Sequence, residues 1–150
     1  EAYVEAVLAA QADGRVLPFV VRDASGRVVG STRYYGLEAD VPKLSIGYTW
    51  YAPEVQRTGV NTETKLLLLT HAFETLGCNV VGWRTDNVNF ASQRAIERLG
   101  AKLDGVLRSH QMAPNGSLRD TCVYSITATE WPTVKAHLTH QLAKPRTAVA

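Results

Sequence analysis

The chain has 150 residues, 45% of them hydrophobic, and a formal net charge of +2. That length and composition suit one soluble globular domain, and basic residues that are scattered rather than clustered give no electrostatic footprint for nucleic acid. No stretch reaches membrane-spanning length and no basic-plus-apolar leader opens the chain, so a cytoplasmic protein without a membrane partner is expected.

In chain order, residues 1 to 12 read as a helix with apolar positions 4, 7 and 8, ended by Asp13-Gly14. Residues 17 to 22 and 27 to 35 read as strands joined by Asp23-Ala24-Ser25-Gly26, a good hairpin connection. Residues 44 to 51 alternate apolar with small or polar residues, and Pro53 cannot extend a hydrogen-bonded ladder, so this strand stops near Ala52. A long helix covers residues 63 to 76, with positions 66, 69, 73 and 76 as its apolar face and Gly77 as its end. Residues 79 to 84 form a short apolar strand, and residues 92 to 99 a helix stopped by Gly100. Two strands, 102 to 112 and 118 to 127, turn through Pro114-Asn115-Gly116-Ser117. Residues 130 to 142 make a closing helix with Pro132 in its first turn. The expected organisation is one domain over residues 1 to 143 and a loose tail from Lys144 to the end. Meander strands followed by strand-helix units predict an α/β fold of mixed α+β type, a mixed sheet with helices on its faces.

The segment Gln56-Arg57-Thr58-Gly59-Val60-Asn61-Thr62 joins the third strand to the long helix. The first turn of a helix has N–H groups without intrahelical partners and the positive end of the macrodipole, which together attract an anion. Gly59 lets a phosphate approach the backbone and Arg57 adds a cation. A single glycine before a helix also fits a plain helix start. The lysine-containing phosphate loop and the three-glycine dinucleotide fingerprint are absent, which removes support for nucleoside triphosphates and nicotinamides and leaves a pyrophosphate without an obvious metal.

Gln-x-x-Gly-x at a strand-to-helix junction resembles motif A of the GNAT (N-acetyltransferase) superfamily. The likeness continues through Thr85-Asp86-Asn87-Val88-Asn89-Phe90-Ala91-Ser92, Ala95-Ile96-Glu97-Arg98-Leu99-Gly100-Ala101, Asp104-Gly105-Val106-Leu107-Arg108, and Arg119-Asp120 before Tyr124-Ser125-Ile126. It covers about residues 16 to 138 and resembles the branch with the ribosomal-protein alanine and serine acetyltransferases. Asn61 departs from the pattern, standing where Gly or Ala is usual. The resemblance implies a central mixed, mostly antiparallel sheet flanked by helices, here lacking the first strand and first helix. Because the only methionine is Met112, the sequence is expected to be part of a longer product.

What the resemblance implies about chemistry is acetyl-CoA as co-substrate, no metal, and direct attack of a primary amine, on a small molecule or a protein N-terminus, on the thioester. A non-catalytic acyl-CoA-binding module or sensor is the alternative, and a homodimer suits the family, though no pattern in this sequence supports one. In the family, the loop at Gln56, Arg57, Thr58, Gly59, Val60 and Asn61 holds the pyrophosphate, and Thr49, Trp50 and Tyr51 offer backbone groups to pantetheine. Asn89 matches a pantetheine contact, and Ser92 the residue near the sulfur, making it the candidate to protonate the thiolate. Asn89 or Ser92 equally serves as the N-cap of its helix. Arg33, Tyr34 and Tyr48 are candidates for the acceptor site, and Arg94 is shared between a phosphate contact and a solvated helix face. No general base declares itself among His110, Asp120 and Tyr48. His137 and His140 lie one helical turn apart but lack a third ligand for a metal. Cys78 and Cys122 read as buried thiols.

Overall fold

The computed structural model describes residues 1–145, so the expected tail lies, from residue 146 on, outside the described residues. Six strands form one sheet in the order β1-β2-β3-β4-β6-β5: β1 Val16–Arg22, β2 Val28–Glu38, β3 Lys43–Tyr51, β4 Val80–Asp86, β5 Lys102–Met112 and β6 Leu118–Thr127. All neighbours are antiparallel except β3 and β4. The helices are α1 Ala2–Ala12, α2 Val60–Thr70, α3 Phe90–Arg98 and α4 Trp131–Ala143. This is the mixed, mostly antiparallel sheet with flanking helices that the sequence predicts.

Local chemistry closes the hairpins. Asp23 Oδ1 accepts from the Ser25 and Arg27 N–H groups, and Asn115 Oδ1 from the Ser117 N–H, so each turn is held by an Asx side chain. The helical rod after Thr70 continues as one π-helical turn over His71–Thr75, and Gly77, at φ +67°, reverses the chain.

One cluster of buried side chains joins the helices to the sheet, with Leu69 of α2, Ile96 of α3 and Leu138 of α4 against Ile46, Trp83 and Tyr124. Cys78 and Cys122 are free and buried in it. Of the expected stripe at 66, 69, 73 and 76, Leu69 is buried and Leu66 and Phe73 pack partly buried against the core, whereas Leu76 is exposed; Lys65, Leu68 and Ala72 join the buried face. Four consecutive leucines fit several helical faces, so the periodicity does not fix the rotation, and a lysine takes a core position.

Gly100 ends α3 at φ +102°, and a Cβ there would stand 3.2 Å from Val134 Cγ2 of α4. Gly100→Ala is expected to cost about 1–2 kcal/mol from the backbone conformation alone, read by urea denaturation. Wild-type stability in that variant would contradict this packing.

Candidate active site

The site begins with a parting of strands. β3 pairs with β4 only at Lys43, Leu44 and Ser45, opposite Val80, Val81 and Gly82. Beyond Ser45 the strands diverge, although β3 runs on to Tyr51 and β4 to Asp86. A bulge in β3 drives the divergence: Arg33 faces Gly47 and Ser31 faces Trp50, so Tyr48 and Thr49 together oppose the single residue Thr32. Tyr48 takes φ 53°, an uncommon conformation outside glycine. Gly47 is required beside it, because a Cβ at 47 would lie 2.7 Å from the Tyr35 ring.

A partly buried polar chain pins the bulge from below. The Thr49 and Thr32 hydroxyls are 2.8 Å apart, and Lys65 Nζ donates to Thr49 Oγ1 at 3.1 Å. Lys65 is 5% exposed, and burial alone lowers its pKa to about 8. The sequence reading missed this residue; its signal is a lysine three and four positions before Leu68 and Leu69 on the core-facing stripe.

A cleft of about 750 Å³ lies over the parted strands. One wall is β3, where Tyr48, Thr49, Trp50 and Tyr51 line it. Trp50 is half exposed there, unlike the buried Trp83 and Trp131. The junction contributes Gln56, Arg57 and Asn61, and the start of α3 contributes Asn89 and Ser92. Asn89 is the N-cap of α3, its Oδ1 accepting from the Ser92 N–H at 3.1 Å, so capping and lining coincide in one residue. Asn61 Oδ1 accepts from the Tyr51 hydroxyl at 2.7 Å, which ties the start of α2 to the end of β3 and accounts for its departure from a small residue.

The junction loop is shaped for an anion. Arg57 is in the left-handed region at φ 61°, and Gly59 turns back to right-handed helical angles as the N-cap of α2. Such reversals point successive N–H groups to one side, and the following first turn adds donors without helical acceptors. Thr58 Oγ1 accepts from the Val60 N–H at 3.3 Å and donates to the Val55 carbonyl, fixing the turn. Beside the cleft, a small side pocket of about 240 Å³ is lined by Thr58, Asn61 and the guanidinium-bearing Arg57 and Arg98, with no carboxylate among its described lining residues. Arg98 thus takes the place expected of Arg94, which is exposed on α3 and lines neither cavity.

Residues 1–102 match the family model of the acetyltransferase (GNAT) domain, more than half of the chain. The chain belongs to the GNAT acetyltransferase family. The uncharacterized N-acetyltransferase YoaA of Bacillus subtilis (strain 168) is 31% identical over 107 residues, 71% of this chain and 59% of the relative. The GNAT chain thus spans about three fifths of that curated relative. A GCN5-related N-acetyltransferase from Brucella melitensis superposes with a TM-score of 0.85 at 31% identity, over 95% of this chain and 65% of that one. Mycobacterium smegmatis RimJ in complex with CoA-disulfide gives 0.78 at 23% identity, over 93% and 66% respectively, a likeness of fold.

Within this GNAT fold two acceptor expectations change. Tyr34 is fully buried, its hydroxyl donating to the Leu68 carbonyl and its ring packed on Phe19 and His71, so it holds the core and is closed to a ligand. Alternation along β2 places it on the helix side, opposite to its neighbours. Arg33 lies outside the cleft lining: it donates to the Tyr3 hydroxyl and stacks 3.8 Å from the Tyr48 ring centroid, so it positions Tyr48 rather than facing the cavity. Asp120 accepts from Arg108 Nε and the Ser109 N–H, not from Arg119, and is committed to a bulge in β5. His137 Nε2 lies 3.0 Å from the Arg98 carbonyl oxygen.

Proposed function

We propose that this GNAT chain binds acetyl-CoA in the cleft and moves its acetyl group to a primary amine, of a small molecule or a protein N-terminus, by direct attack on the thioester. The observation that carries the reading is the parting of β3 from β4 directly beside an anion-shaped helix start. The donor set suits the group: backbone N–H donors, Arg57 and Arg98 for phosphates, and a strand edge without a ladder partner for an amide-bearing arm. Acetyl-CoA supplies an acetyl group already activated as a thioester.

The chain's residues then divide the work. Gln56 to Asn61 and Arg98 hold the phosphates, and Thr49 to Tyr51 offer backbone groups along the parted edge. A bulge N–H of β3 polarises the acetyl carbonyl, and Asn89 orients the start of α3. Ser92 lines the cleft and passes its hydroxyl proton to the departing thiolate while its oxygen takes up, through water, the proton released by the attacking amine. Burial raises Tyr35 and pushes Tyr51 up to about 12, so neither serves as a base at neutral pH. An α-amine, with a pKa of about 7.7–8.0, is already about a tenth neutral at pH 7 and needs only water to remove its proton.

The test is a thiol-release screen with acetyl-CoA across amines, peptides and aminoglycosides. Release with acetylated product supports transfer; saturable acetyl-CoA binding without release from any amine would make the chain a binding module. With an active amine, Ser92→Ala is expected to lower kcat by about 10²-fold while KM for acetyl-CoA stays within about threefold. An unchanged kcat would remove Ser92 from the reaction.

A further inference from the structure

A second cavity, of about 480 Å³, meets the cleft through the gap between β3 and β4, and the two share Gly47, Tyr48, Arg84 and Arg119. It lies on the opposite side of the sheet from α2 and α4. Trp83 and Tyr124 pack in the core with those helices, so Arg84, adjacent to Trp83 on β4, points to the other face. Two cavities that meet where the strands part would let the donor enter from one side and the acceptor from the other.

The charge of this second cavity is one-sided. Arg84 and Arg119 line it with Tyr35, Tyr48 and His110, and no carboxylate is among its described lining residues. Both guanidiniums favour the ionised form of the Tyr35 hydroxyl that lines the cavity with them. Among the described residues neither has a carboxylate within ion-pair distance. The acidic side chains on the same strands are engaged elsewhere: Asp86 Oδ1 accepts from the Val88 N–H, and Asp120 holds Arg108 and the Ser109 N–H. That second engagement is also structural. It fixes the β5 bulge, where Ser109 takes φ 48°, and the next residue, His110, reaches the cavity with Nδ1 3.0 Å from Thr121 Oγ1. Arg119 Nε donates to the same Thr121 hydroxyl at 3.2 Å, so its position is fixed from the sheet.

We propose that the cavity is the acceptor pocket and that it selects an amine bearing an anionic group, a carboxylate or a phosphate, held by Arg84 and Arg119 while the amine reaches the gap. A planar guanidinium pair matches an oxyanion in shape as well as charge, and a polyamine would meet two unneutralised cations. This rests on the acetyl-transfer reading above and adds the class of substrate.

The test uses conjugates in which CoA sulfur is joined through an acetyl bridge to the amine of aspartate, of aspartic diamide, or of lysinamide. Calorimetry measures each against CoA itself. The aspartate conjugate is expected to bind roughly tenfold tighter than the diamide at low salt, and the lysinamide conjugate weakest, with the gap narrowing as salt is added. Arg84→Met, an exposed position safe for folding, and Arg84→Met/Arg119→Met should bring the aspartate-to-diamide ratio towards one, with Arg84→Lys restoring part of it. The ratio is read within each protein, so a general change in CoA affinity cancels. Equal affinities of aspartate and diamide conjugates, or a ratio unchanged in the double variant, overturn the anionic pocket while leaving the CoA site standing. Failure of CoA and of every conjugate to bind sinks the acetyl-transfer reading and this inference together. A 2-aminoethyl phosphate conjugate binding tighter than the aspartate one assigns the anion as phosphate.

Discussion

Gly59→Glu is expected to lose coenzyme A binding by more than about 10²-fold while the protein stays folded. Gly59 holds ordinary right-handed angles, φ −71° and ψ −8°, so a side chain there brings no backbone strain. A carboxylate at a helix start also interacts favourably with the macrodipole, so stability should not fall. The same carboxylate would occupy the space in front of the first-turn N–H groups. Two like charges 4 Å apart at an effective dielectric constant near 20 repel by about 4 kcal/mol, which exceeds the roughly 2.7 kcal/mol that a hundredfold loss requires. Gly59→Ala separates size from charge and should lose much less. Equilibrium dialysis with CoA, alongside a melting curve, reads both quantities; wild-type affinity in Gly59→Glu would remove the pyrophosphate from this loop.

Lys65→Met should make the protein more stable near neutral pH, the reverse of the usual effect of a core substitution. Burial holds the Lys65 pKa down to about 8, below that of an exposed lysine. The unfolded chain therefore binds the proton more tightly, and stability rises with pH between about 8 and the ordinary lysine value. Below pH 8 both states are protonated and the full cost of a buried cation is present, roughly 3 kcal/mol at 1.36 kcal/mol per pH unit. Methionine keeps the apolar stem and removes that cost, offset by about 1 kcal/mol for the bond to Thr49. The variant should gain about 2 kcal/mol at pH 7 in urea denaturation, and the gain should vanish by about pH 10. A variant less stable than wild type by the same amount at both pH values would contradict a lowered pKa. The variant should also lose turnover, because Lys65 anchors the Thr49 bulge; a stabilising substitution that costs activity marks strain kept for function.

The sequence made the strand and helix order legible because turn residues and periodicity agree: Asx-glycine turns, Pro53 after β3, and Gly77 and Gly100 after helices. It also made the junction loop and the Asn89 cap legible, as both are local in sequence. What it did not show depends on contacts distant in sequence. The place of Lys65 in the buried face of α2 follows from its meeting Thr49, and a run of four leucines carries no information about it. Tyr34 reads as a pocket residue because neighbours on a strand look alike until the sheet face is known, and Arg33, on the same face as Tyr35, is held by Tyr3 and Tyr48 instead. Arg98 rather than Arg94 lines the cavity beside the junction although both lie on the same side of α3, because one helical turn moves the side chain about 6 Å along the axis. Arg84 carries no signal in the sequence and Arg119 reads only as part of a family-like segment, because only the β4–β6 pairing and the parting from β3 bring them together.

The most direct test of the account is a calorimetric titration of acetyl-CoA into the wild-type chain with ATP as competitor. One site per chain, a dissociation constant in the micromolar range, and no displacement by ATP at tenfold excess are expected. No saturable heat with acetyl-CoA, or full displacement by ATP, would contradict an acetyl-CoA site between the parted strands and the Gln56–Asn61 loop.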